Sequence, residues 1–96
     1  ASGIATLTEV IRIALANGWK PKRTVKFIGY AAEEVGLRGS NAIAQAHKAA
    51  GANVHAVLQL DMTNYRSGGA DMRLITDYSS ADLKTFLTSL FDTYLA

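Results

Sequence analysis

The chain has 96 residues, 49% of them hydrophobic and 19% charged, enough for one small domain with a modest core and too apolar for an intrinsically disordered chain. No apolar stretch approaches the roughly 18 residues of a membrane span, and ten Lys and Arg against eight Asp and Glu is too slight an excess to mark a nucleic-acid partner. The absence of cysteine excludes a disulfide scaffold and any thiolate metal site.

In chain order, Ser2 is a candidate N-cap for a helix whose apolar positions Ile4, Leu7, Val10, Ile11, Ala14 and Leu15 recur at spacings of three and four. Asn17-Gly18 is a stop signal, with glycine free to turn left-handed. The basic cluster Lys20, Lys22, Arg23 and Lys26 has no interleaved aromatics and reads as a solvated loop and strand edge. Thr24 to Tyr30, TVKFIGY, is rich in β-branched and aromatic residues and is expected to be a strand.

Gly36 and Gly39 mark a turn, Asn41 to Ala50 is an alanine-rich helix closed by Gly51, and Val54 to Leu60 is a second expected strand. Arg66-Ser67-Gly68-Gly69 is a turn before a short third strand, Met72 to Thr76, returning antiparallel. Ser79 or Ser80 can then cap a final helix with the stripe Leu83, Phe86, Leu87, Leu90, Phe91 and Tyr94. The order α-β-α-β-β-α, with a right-handed crossover from Thr24 to Asp61, predicts an α/β fold with helices layered on a mainly parallel sheet.

In open α/β sheets, ligands bind beyond the carboxyl ends of the strands. Both strands of the crossover end in acid: Glu33-Glu34 after the first and Asp61 after the second. Neighbouring strands would bring three carboxyls to one rim, where repulsion disfavours full ionisation unless a divalent cation is present. On extended backbone Glu33 and Glu34 would point apart, one toward a metal and one toward substrate, the arrangement of a metal-activated water with a separate proton acceptor. The same residues also suit plainer roles, the glutamates complementing a helix N-terminus and Asp61 starting a turn. His47, expected on an exposed helix face, and His55, at a strand start, have no partner at metal-ligand spacing. Ser40 and Ser67 lack a nucleophile elbow, and Trp19 and Tyr65 read as packing residues.

The strings YAAEEVGLRGS (Tyr30 to Ser40) and LQLDMTNY (Leu58 to Tyr65), with ASGIATLTEVIR, PKRTVKFIGY and ITDYSS, extend over essentially the whole chain. They closely resemble the secreted bacterial leucyl aminopeptidases, the dizinc enzymes of the Vibrio proteolytic type. The resemblance implies a three-layer α/β/α sandwich with a mixed, mainly parallel sheet, and removal of N-terminal residues, preferably large and apolar, from peptides with a free N-terminus. It implies two zinc ions, Glu33 as general base and proton shuttle, Glu34 as ligand of one zinc and Asp61 as ligand of the other. Met62 and Ile75 match positions lining the pocket for the substrate's first side chain.

That family pattern also has a bridging aspartate directly before the Ala-Ser-Gly of Ala1 to Gly3, and one histidine upstream and one downstream. These three donors lie outside the 96 residues, so the chain reads as the central part of a catalytic domain. Alone it is expected to bind zinc weakly and to turn over no peptide, since zinc takes about four donors. Secretion follows from the resemblance alone. Two other readings stand beside this one: a non-catalytic α/β module that self-associates through unpaired sheet edges, and an enzyme on the same scaffold using another divalent ion.

Overall fold

A computed structural model describes residues 1–66, 68–69 and 72–95; Ser67 of the expected glycine turn lies outside the described residues. Three helices form: α1, Ser2–Ala16; α2, Arg38–Ala49; and α3, Ala81–Tyr94. The chain divides into two compact units, Ala1–Asn64 with α1 and α2, and Tyr65–Ala96 with α3.

The helices follow the periodicity of the sequence. On α1 the half-buried stripe runs through Gly3, Thr6, Leu7, Ile11 and Ala14, while Ile4, Val10 and Leu15 stay exposed. Ser2 is the first helical residue rather than the cap; Ala1 takes the cap position and offers no side-chain bond. At the other end Asn17 is the C-cap, its Nδ2 donating to the Ile13 carbonyl at 2.8 Å, and Gly18 follows at φ +63°. That left-handed residue lets the Trp19 amide return to the Ala14 carbonyl at 2.9 Å.

Helix α2 starts at Arg38, three residues before the expected Asn41, because the turn ahead of it already carries helical bonding: the Asn41 amide reaches the Leu37 carbonyl at 3.0 Å. Gly51, at φ +62°, closes it as expected. In α3, Ser80 is the cap, its Oγ accepting from the Leu83 amide at 3.4 Å, and Asp82 sits in the positive first turn. Leu83, Leu87, Leu90 and Phe91 are half-buried; Phe86 and Tyr94 remain exposed.

The expected sheet does not form. Among the described residues there is no strand, so the α/β sandwich, its parallel crossover and the antiparallel return at Met72 to Thr76 are all overturned. Side chains near the ends of residues 24–30 and 54–60 do meet. The Arg23 guanidinium reaches His55 Nε2 at 2.8 Å near one end, and the Tyr30 hydroxyl donates to Gln59 Oε1 near the other. These are contacts between side chains; among the described residues no backbone hydrogen bond joins the two segments, so no ladder forms. The composition of TVKFIGY reports β-propensity, which describes a fit to a pleated, half-covered surface; it does not supply the partner backbone.

Coverage is equally sparse. No described residue is fully buried, and Val57, Leu58 and Ile75 stand 76, 61 and 72% exposed. A guanidinium only donates, so in the Arg23–His55 contact the His55 Nε2 is the acceptor.

The one ion pair among the described residues joins Glu9 and Arg12 on α1, at 2.6 Å between Oε1 and Nη2 and 2.8 Å between Oε2 and Nε. The hydrogen bond from Arg12 lowers the Glu9 pKa, slight desolvation opposing it. A lowered carboxyl pKa stabilises the folded state above the unfolded value and loses that contribution as pH falls through the folded one. Helix content of the chain, followed by circular dichroism, is therefore expected to fall as pH drops below about 4.5. Glu9→Gln should flatten that decline, and 1 M salt should weaken it.

Candidate functional site

Both acid-bearing junctions are built alike. The first follows residues 24–30: Ala32 turns left-handed at φ +64°, and residues 33–37 form a tight turn in which the Glu33 carbonyl accepts from the Gly36 and Leu37 amides at 3.1 and 2.9 Å. The Arg38 amide closes it onto the Ala32 carbonyl at 3.0 Å. Gly36 and Leu37 are left-handed as well, at φ +97° and +55°. Glu33 and Glu34 therefore sit in a hydrogen-bonded turn, not on the extended backbone that would have pointed them apart. In the second junction Asp61 leaves residues 54–60 directly and Met62 is left-handed at φ +47°. For Ala32, Leu37 and Met62 that conformation costs about 1–2 kcal/mol each, a strain that persists only where surrounding structure imposes it.

Beside these junctions each helix of this unit carries a glycine in its first turn. A Cβ on Gly39 of α2 would collide with the Ala31 carbonyl oxygen and sit 3.2 Å from the Ala31 amide nitrogen. A Cβ on Gly3 of α1 would collide with the Leu60 carbonyl oxygen. In each case the hydrogen that glycine carries instead points at a carbonyl just ahead of an acid. The second junction is held again where Thr6 and Thr63 hydroxyls meet at 2.6 Å. A cavity of about 420 Å³ opens beside that contact, walled by Ser2, Thr6, Glu9, Thr63 and Asn64. These small-residue contacts were not visible as such in the sequence; the available signal was a Gly placed immediately inside each helix start.

The carboxylates themselves are exposed, and among the described residues Glu33, Glu34 and Asp61 have no hydrogen-bond or ion-pair partner. The plainer reading of the glutamates as helix-N-terminal complements gains nothing: α2 has no acid in its first turn and no side-chain cap. Arg38 is exposed and holds no acid among the described residues.

The expected gathering of three carboxyls into a metal-binding rim is not seen. Among the described residues no three His, Asp or Glu side chains form a group able to hold a metal ion. His47 differs from expectation too, lying on the half-buried stripe of α2 with Nδ1 at 2.9 Å from the Ile43 carbonyl. Met62 is 65% exposed beside Asp61. Ile75 belongs to the second unit, in the irregular stretch before α3. Trp19 and Tyr65, read as packing residues, are 52 and 70% exposed.

Two glutamates in a turn with left-handed residues and an aspartate directly after residues 54–60 are the acids of the two junctions, and among the described residues they form no metal-binding group. The pattern of Peptidase family M28 matches residues 1–96, and the chain belongs to that family. It is 40% identical over 97 residues to a probable leucine aminopeptidase of Arthroderma otae, covering 97% of this chain and 26% of that protein. A probable aminopeptidase of Saccharomyces cerevisiae is 37% identical over 101 residues, 99% of this chain and 27% of its own length. Leucine aminopeptidase 1 of Ajellomyces capsulatus is 38% identical over 104 residues, with 97 and 27% covered. The chain thus spans about a quarter of the length of these relatives, all three of them fungal proteins. No solved structure matches.

The glycine seats make a signed prediction. Helix propensity alone would have Gly39→Ala stabilise α2 by up to about 1 kcal/mol; the collision with the Ala31 carbonyl should instead give a net loss of about 1–3 kcal/mol. Chemical denaturation followed by α2 amide signals measures it. The amides of residues 31–37 should shift in Gly39→Ala and those of residues 60–63 in Gly3→Ala.

Proposed function

We propose that these 96 residues carry part of the catalytic centre of a zinc-dependent aminopeptidase that removes N-terminal residues, preferably large and apolar, from peptides. Family membership over the whole chain carries the reading, supported by three exposed carboxylates left without partners at the two acid-bearing junctions. In this proposal Glu33 is the general base, Glu34 a ligand of one zinc and Asp61 a ligand of the other, while Met62 and Ile75 line the pocket for the first side chain.

The residues present do not fit a complete zinc site. Zinc takes about four donors; this chain offers Glu34 and Asp61 with no third group beside them. The remaining donors would come from elsewhere in a protein of the length of the relatives. A pair of zinc ions would supply Lewis acidity and a water acidified toward neutrality.

The part assigned to this chain is proton transfer. An exposed Glu33 carboxylate, free of ion pairs, can take the proton of the attacking water as its oxygen bonds to the acyl carbon. The carbon–nitrogen bond then breaks, and Glu33 returns the proton to the departing amine. Following the motif resemblance, the proposal extends to a secreted protein; among the described residues no helix is long and apolar enough to cross a membrane.

The test uses the full-length protein that contains this chain. Glu33→Gln is expected to keep the metal content and lower kcat by about 10²–10⁴-fold, whereas Glu34→Ala should lose metal. Wild-type kcat in Glu33→Gln would refute the role of Glu33, and two zinc ions retained in Glu34→Ala would refute that of Glu34. The isolated 96-residue chain should show no saturable zinc binding at micromolar concentration by calorimetry.

A further inference from the structure

The turn that carries Glu33 is closed on itself by backbone contacts between residues 31 and 39. The Ala32 carbonyl accepts from the Arg38 amide at 3.0 Å, and the Glu33 carbonyl from the Gly36 and Leu37 amides at 3.1 and 2.9 Å. The bonds thus converge on the backbone at Glu33; among the described residues that of Glu34 makes none of this kind. At the far end Gly39 lies against the Ala31 peptide, where a Cβ would collide with the carbonyl oxygen and come within 3.2 Å of the nitrogen. Gly39 is the only glycine of α2, at a helical position where alanine has the higher propensity. Helix formation gives no reason for a glycine there; the close approach to Ala31 does. These contacts join backbone atoms of one short stretch, so they belong to that stretch whatever surrounds it in a protein of the relatives' length.

We propose that Gly39 is a positioning residue for Glu33. It lets the first turn of α2 rest on the Ala31 peptide, and so sets where the Glu33 backbone, and with it the carboxylate, is placed. The proposal rests on the reading of Glu33 as the base. A side chain at position 39 must displace residues 31 and 32, and the bonds from the Arg38 and Leu37 amides carry that displacement to Glu33. A base works within about 2.6–3.2 Å of the atom whose proton it takes, and a misplacement of about 1 Å costs about 10²-fold in rate. Gly39 touches no substrate in this scheme, so its effect on the rate exists only while a carboxylate at position 33 is there to be misplaced.

The experiment is a double-mutant cycle in the full-length protein that contains this chain, with Gly39→Ala, Glu33→Gln and the two combined. Gly39→Ala is expected to lower kcat by about 10–10²-fold with KM and metal content unchanged. Added to Glu33→Gln, it should lower the residual kcat by less than about twofold, since residues acting through one another are non-additive. A merely structural loss would cut the rate by the same factor in both backgrounds. In the metal-free protein labelled with ¹⁵N-glutamate, the Glu33 amide, assigned by its absence in Glu33→Gln, should shift in Gly39→Ala. Ala32→Val presses on the same turn from its other end, because a β-branched residue resists the φ of +64° there; it should show the same dependence on Glu33. Ala32→Gly, which suits that conformation, should keep wild-type kcat. Wild-type kcat in Gly39→Ala, equal losses in both backgrounds, or lost activity in Ala32→Gly would each overturn the proposal and leave the role of Glu33 standing. Wild-type kcat in Glu33→Gln alone would overturn both.

Discussion

The site depends on two places where backbone touches backbone. Gly3 brings the first turn of α1 against the Leu60 carbonyl, and Gly39 brings the first turn of α2 against the Ala31 carbonyl. Any larger residue would push the helix off the segment it rests on. Each contact lies one or two residues before an acid, so the seat of a helix and the position of a carboxylate are set by the same atom pair. The left-handed residues nearby, Ala32 and Met62, are the cost of leaving those contacts abruptly.

What the sequence disclosed follows from how local each signal is. Helices announce themselves within one segment, through period, caps and stops, and all three were legible: Gly18 and Gly51 as terminators, Ser80 as a cap. A strand is a relation between two segments. TVKFIGY and VHAVLQL carried the composition of strands, and side chains of the two stretches meet at Arg23–His55 and Tyr30–Gln59, yet among the described residues no strand forms. Pairing between backbones was the missing quantity, and no single-segment pattern contains it. The acids were legible as a motif, but their geometry was not, because Ala32 at φ +64° turns the chain before Glu33. Nothing in an alanine announces a left-handed conformation.

The same locality accounts for the partial site. A metal centre in a hydrolase draws donors from several segments, and in the proposed function this chain would supply only those of two junctions. Membership in Peptidase family M28 and a span of about a quarter of its relatives' length are consistent with carboxylates that face solvent without partners. Exposed Val57, Leu58 and Met62 show a comparable excess of uncovered surface. In a protein with marginal stability, apolar groups left in water are forgone stabilisation of about 25 cal/mol per Å².

The most direct test of the two seats is a nuclear Overhauser experiment on the uniformly labelled chain. Cross-peaks from the Gly39 α-protons to the Ala31 amide, and from the Gly3 α-protons to the Asp61 amide or α-proton, are predicted in one and the same sample. Their absence, with α1 and α2 intact by chemical shift, would mean that the helices do not rest on the acid-bearing junctions, and the account of the site would be wrong.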